Sequence, residues 1–163
     1  MKKVIVFLMA MMMIFTFSAC GGGSSDEKKS DEKQTETVKR DLPKGDYKDV
    51  GDGTFYLTGP SGSTENGDKI VIYPDENSTP HAFVGIELWD LDGSVQTYIY
   101  VDGVEMDKQQ VGAGYQGSID FDDNSLWAIT EGEHEVEAVQ YADNDTSKDM
   151  TFYRAVKYTV KSE

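Results

Sequence analysis

The chain has a single cysteine, Cys20, among its 163 residues. It cannot close a disulfide within itself, which excludes the disulfide-stapled scaffolds common among small secreted domains. Histidine is almost as scarce, with His81 and His134 far apart in sequence. A zinc site needs three or four clustered ligands, so these two are a poor start, and no metal or cofactor is expected. Basic residues are few: 15 Lys and Arg stand against 30 Asp and Glu. Nucleic-acid binders need a basic face, and an anionic membrane surface attracts basic residues, so neither partner suits the folded part of the chain. No window shows a long apolar 3.6-residue period, which leaves no helix beyond a turn near Leu126–Ile129. After residue 17 no second long hydrophobic stretch follows, and Lys161-Ser162-Glu163 carries no recognisable sorting signal.

What is present begins at the N-terminus. Lys2 and Lys3 form a basic head, Val4 to Phe17 run without a charge, and Ser18-Ala19-Cys20 closes the run with small residues and a thiol. This is the layout of an export signal. The stretch falls short of the roughly 20 apolar residues that a spanning helix needs. A plain secretory signal would leave Cys20 as an unpaired thiol without a role. The segment resembles the lipobox of bacterial lipoproteins, with Phe17 standing where a smaller aliphatic residue is usual. The resemblance covers residues 1–20. It implies a signal peptide over 1–19, cleavage before Cys20, a lipid on the Cys20 thiol, and a protein held at the outer face of the cell membrane. One acyl chain binds a membrane only marginally, whereas the two of a diacylglyceryl group anchor stably.

Residues 20–45 are expected to form a flexible tether. Gly21-Gly22-Gly23-Ser24-Ser25 opens it, and Asp26–Arg40 is charged and polar with Val38 its only aliphatic residue. Such a composition buries too little apolar surface to offset its ordering entropy. A tether of about 25 residues has a mean span of roughly 25–30 Å. Its charges balance. Removal of Lys2 and Lys3 leaves 13 bases against 30 acids, and residues 41–163 hold 25 of those acids and 8 of those bases, a net charge of −17. Such acidity keeps a crowded surface protein soluble and favours cationic partners.

From residue 46 onward short β-rich runs alternate with turn clusters. Strands are predicted over Thr54–Thr58, Lys69–Tyr73, Ala82–Leu91, Gln96–Val101, Val104–Val111, Ser118–Asp122, Glu133–Tyr141 and Thr151–Lys161. Asp102-Gly103 between Val101 and Val104 is a strong hairpin signal, since both central positions of that turn need positive φ. Alternation puts Val84, Ile86 and Leu88 on one face, and Glu87 and Trp89 on the other. Val156, Tyr158 and Val160 also share a face. In Glu133–Tyr141 the pattern conflicts, because Val136 and Ala138 oppose Val139 and Tyr141. Either a bulge near Ala138 or burial on both faces would account for it.

Gly132-Glu133-His134-Glu135-Val136 resembles the start of a late strand in bacterial immunoglobulin-like domains, and Tyr98-Ile99-Tyr100-Val101-Asp102-Gly103 resembles their mid-domain hairpin. The chain is similar to small immunoglobulin-like surface lipoproteins of low-GC Gram-positive bacteria. The resemblance covers about residues 80–161. It implies an all-β, immunoglobulin-like antiparallel β-sandwich of about seven or eight strands over residues 46–163, and it carries over no catalytic residue.

No catalytic constellation emerges. Gly59-Pro60-Ser61-Gly62-Ser63 comes near a nucleophile elbow but has Ser63 where the final glycine belongs, so a turn is predicted. Gly112-Ala113-Gly114-Tyr115-Gln116-Gly117 lacks the lysine and following helix of a phosphate cradle and is predicted to be a flexible loop. His81 is expected to be solvated and His134 half-buried. Asp90/Asp92, Asp120/Asp122/Asp123 and Asp143/Asp145 offer oxygens at short spacing, which calcium prefers. None completes a twelve-residue calcium loop, and Asp and Asn favour turns for their own reasons. Exposed aromatics on a sandwich stack on sugars or anchor proteins. Trp89, Tyr98 and Tyr100 are the candidate contacts to a protein or carbohydrate ligand. The expected function is a non-enzymatic binding module at the cell surface. The alternatives are a structural accessory of an envelope complex and an enzyme acting on wall sugars with a carboxylate pair.

Overall fold

The computed structural model describes residues 39–162, so the signal peptide, Cys20 and most of the tether lie outside the described residues. Nine strands follow one another: β1 (Thr54–Gly59), β2 (Gly62–Ser63), β3 (Ile70–Ile72), β4 (Ala82–Trp89), β5 (Thr97–Val101), β6 (Val104–Gln109), β7 (Gly114–Phe121), β8 (Gly132–Tyr141) and β9 (Met150–Val160). They form a four-stranded sheet in the order β2-β1-β4-β7 and a five-stranded sheet in the order β3-β9-β8-β5-β6. All pairs are antiparallel except β3 with β9, which run parallel. The protein is an immunoglobulin-like β-sandwich. Among the described residues no helix is long and apolar enough to cross a membrane.

The inner faces follow from alternation. Val84, Ile86 and Leu88 of β4 are buried against Ile99 and Val101 of β5, Val136 and Ala138 of β8, and Tyr158 and Val160 of β9, within one core. Burying each such side chain contributes about 1.5–3 kcal/mol. The β5–β6 turn takes the predicted form, with Asp102 at φ 48° and Gly103 at φ 78°. A short 3₁₀ turn, Leu126–Ile129, closes one end of the core, where the Tyr158 hydroxyl donates to the Ala128 carbonyl at 2.6 Å.

Two expectations need correction, and one open alternative is decided. The run Gly112–Gly117 is irregular only at Gly112-Ala113: Gly114 to Gly117 open β7 and pair in register with Trp89 to Ile86. The long edge of β4 supplies hydrogen-bond partners that outweigh the weak strand propensity of glycine. The β8 conflict is resolved by burial on both faces. Val139 and Tyr141 lie beneath a second, outer cluster with Leu42, Tyr98, Tyr100 and Tyr153. A register shift does occur in the β8–β9 pair, between Gln140 and Tyr141. That outer cluster moves the domain boundary as well. Residues 40–45, expected to belong to the tether, lie on the five-stranded sheet, and Leu42 is only 1% exposed.

Candidate functional site

The two outer faces of the sandwich differ. The five-stranded sheet is covered by the segment from Lys39 to Val50. The four-stranded sheet turns outward a row from β4, namely Phe83, Gly85, Glu87 and Trp89, between Thr54, Tyr56 and Thr58 of β1 and Gly114, Gln116, Ser118 and Asp120 of β7. Phe83 is 55% exposed and Trp89 37%. Their positions six residues apart on one strand separate them by roughly 20 Å.

Trp89 is placed by the glycine opposite it. A Cβ built on Gly114 would collide with Cζ3 and Cε3 of the indole and lie 3.4 Å from Cη2. The six-membered ring therefore occupies the space that a side chain at position 114 would fill, and the residue remains 37% exposed. Between the two rings the row is polar. Gln116 Nε2 donates to Glu87 Oε1 at 3.0 Å. Thr58 reaches over Gly85, where a side chain would meet its hydroxyl. At the Phe83 end the row borders a groove of about 630 Å³ beside β3, lined by Pro60, Ile72, Tyr73 and His81. Ser61 serves this edge structurally. Its hydroxyl donates to the Lys69 carbonyl and accepts from the Val71 N–H, at 3.1 and 3.2 Å, which occupies part of the free edge of β3.

Of the aromatic candidates only Trp89 stands on an open surface. Tyr98 and Tyr100 are 7% and 2% exposed. They pack under Leu42 and against each other and Tyr141, with ring centroids 6.3 and 5.5 Å from Tyr98. The expectation that they contact a partner fails in this arrangement, because residues 40–42 take the surface they would offer. Burial pushes the hydroxyls of Tyr100 and Tyr141 above the ordinary tyrosine range.

Below this cluster lies a charged network. Asp102 Oδ2 is 2.7 Å from His134 Nδ1, and Nε2 of the same ring is 2.8 Å from the Thr130 carbonyl. The ring stacks on Tyr158 at 5.2 Å. The hydrogen bond to Asp102 raises His134 above its ordinary value against the opposing effect of burial. Burial would raise Asp102, but hydrogen bonds from His134 and the Glu135 N–H outweigh it and hold the carboxyl low. Glu137, 4% exposed, is raised by burial, while the Gly103 N–H at 3.0 Å and the Arg40 guanidinium at 3.7 Å oppose the rise. This network ties a turn, a strand and the covering segment together. His81 is not merely solvated: its Nε2 lies 2.8 Å from Asp123 Oδ1, and this hydrogen bond raises it.

The acidic clusters act in turns. Asp92 accepts from the Ser94 N–H and hydroxyl at 2.8 and 2.6 Å, Asp122 from the Asn124 N–H at 2.9 Å, and Asp145 from the Ser147 N–H and hydroxyl at 3.0 and 2.7 Å. Asp90, Asp143 and Asn144 adopt positive φ of 58°, 56° and 59°, which these residue types tolerate best after glycine. Among the described residues no three His, Cys, Asp or Glu side chains converge as metal ligands.

The sequence reading missed Phe83, Gly114, Arg40 and Leu42. The first was available, because Phe83 shares its parity with Trp89. The others depend on contacts across the sheet that no local pattern announces.

No protein-family model matches the chain. No curated protein matches it. Among solved structures, fibronectin(III)-like modules of Clostridium thermocellum CbhA align at 20% identity and a TM-score of 0.36, over 67% of this chain and 98% of that one.

Proposed function

We propose that the protein is a non-enzymatic binding module, anchored by lipid on Cys20 at the outer face of the cell membrane, and that the outer face of its four-stranded sheet binds carbohydrate. The observation that carries this reading is the Trp89 ring seated against Gly114 and still partly exposed, on the same strand face as exposed Phe83. An exposed indole on a sheet face offers a surface for stacking. The Glu87–Gln116 pair, Thr58 and Ser118 between the rings suit the hydroxyl-rich edge of a sugar chain. A protein hot spot would instead place a packed, desolvated pocket at the centre of the patch. The tether lets the domain search a local volume and raises its effective concentration against ligands on the same surface.

The experiment measures binding of the full chain to isolated cell-wall polysaccharide. Trp89→Ala and Phe83→Ala are each expected to weaken binding by about 1–2 kcal/mol, a factor of about 5–30, while the melting temperature stays close to wild type. Unchanged affinity in both variants would remove the assignment of this face. In cells, Cys20→Ala is expected to move the protein out of the membrane fraction. Retention equal to wild type would refute the anchor.

A further inference from the structure

The segment from Lys39 to Val50 crosses the outer face of the five-stranded sheet from the β5–β6 turn, over β8, to β9. It forms no ladder with the sheet; its one strand-like pairing is Val50 with Tyr153. Two separate fastenings hold it.

The near fastening is at the β5–β6 turn. The N–H groups of Asp41 and Leu42 both donate to the Gly103 carbonyl at 2.8 Å. The Glu105 N–H donates to Asp41 Oδ2 at 3.1 Å. Arg40 donates to the Asp102 carbonyl and faces Glu137. Leu42 is the one residue from 39 to 50 that is fully buried, within a cluster that includes Tyr98, Tyr100, Val139 and Tyr141. The far fastening is at β9. Val50 and Tyr153 exchange both backbone hydrogen bonds, at 3.2 and 3.1 Å. Arg154 donates to the carbonyls of Val50, Gly51 and Gly53 at 2.8, 2.9 and 3.2 Å. Between the two, residues 43–46 and 48–49 are exposed, and Tyr47 alone packs inward, 5.3 Å from Tyr153.

The fastenings are unequal. The far one is built into β9 and continues through Gly51, whose φ of 75° allows a sharp change of direction. The near one rests on one aliphatic side chain, one partly exposed guanidinium and three hydrogen bonds to a hairpin turn. What lies beneath is an aromatic surface with hydroxyls, in which Tyr100 Oη and Tyr141 Oη are 3.5 Å apart, beside the buried Glu137 carboxylate.

We propose that residues 39–49 form a detachable strap, hinged at Val50–Gly51, whose release at the Arg40–Leu42 end uncovers a second, tyrosine-lined face of the domain. Elements held by few apolar contacts open locally at lower free energy than the sheet they cover. The proposal is independent of the Trp89 face and of the lipid on Cys20.

Residue-resolved amide hydrogen exchange on the full chain in detergent tests it. The amides of Asp41, Leu42 and Glu105 are expected to exchange as one group, about 100-fold or more faster than those of Val136 and Val139 in β8. Leu42→Ala is expected to speed the group further, about tenfold, with the group keeping its lead over β8, and Arg40→Ala to do so to a smaller extent. Weakening the fastened state lowers the free energy of both strap opening and global unfolding. Nitration of Tyr98 and Tyr100 by tetranitromethane is expected to rise with the same variants. If the strap amides exchange at the rate of β8 in the wild type and in both variants, the strap leaves only when the whole domain unfolds, and the proposal is overturned.

Discussion

His134 is the residue whose charge the fold constrains most directly. Both ring nitrogens face acceptors, Asp102 Oδ2 on one side and the Thr130 carbonyl on the other, so both are satisfied together only by the imidazolium. A histidine raised above its unfolded value stabilises the fold fully below that value, about pH 6.5, and the contribution is lost as pH rises through the folded value. Asp102 has the opposite sign. Its lowered carboxyl contributes above about pH 4 and loses the contribution as pH falls through the folded value. The melting temperature of wild type is therefore expected to decline from pH 6 towards pH 8, and that of His134→Gln to be flatter over the same window. At pH 6 the substitution is expected to cost about 1.5–3 kcal/mol, the range for hydrogen bonds to charged groups. A wild-type and variant pair with parallel pH profiles would show that the ring is neutral in the fold.

At the scale of elements, β4 and the second half of β9 were legible because each buries one face. Alternation assigned Val84, Ile86 and Leu88, and likewise Val156, Tyr158 and Val160, to the core side. Strand β8 was legible only as a contradiction, since Val136 and Ala138 face the core while Val139 and Tyr141 face the strap. The strap itself could not be read. Its residues 43–49 are polar apart from Pro43 and Tyr47, and one leucine among charges carries no periodicity. Tyr98 and Tyr100 were misplaced for the same reason, because a β-branched and aromatic run says that a strand forms but not what covers it. Composition suggests that residues 46–163 are a sufficient domain; burial of Leu42 says otherwise. Deleting residues 39–45 removes a fully buried leucine, a loss of about 2–5 kcal/mol in the usual core series. The melting temperature is expected to fall by several degrees or more. A deletion that melts like the full chain would mean that the strap contributes nothing to stability.

For the molecule as a whole, charge is the dominant feature, with −17 carried by residues 41–163. Self-repulsion of this size destabilises the compact state and is screened by salt. Added sodium chloride is therefore expected to raise the melting temperature modestly. Calcium and magnesium at matched ionic strength are expected to act alike, because the Asp92, Asp122 and Asp145 carboxylates already accept turn hydrogen bonds. A bound calcium at 100 times its dissociation constant would add about 2.7 kcal/mol, so a calcium-specific rise of several degrees would contradict this account. The strap also decides how the molecule meets force. A pull on the chain ahead of Lys39 reaches Arg40 and Leu42 first and breaks their contacts one after another, in the manner of a zipper rather than of parallel bonds sheared at once. The eleven residues 39–49 have an extended length of roughly 35–40 Å, and their release lengthens the chain by the excess of that length over the span they cross on the sheet. Tension is thus taken up as extension at the domain's margin before it loads β1.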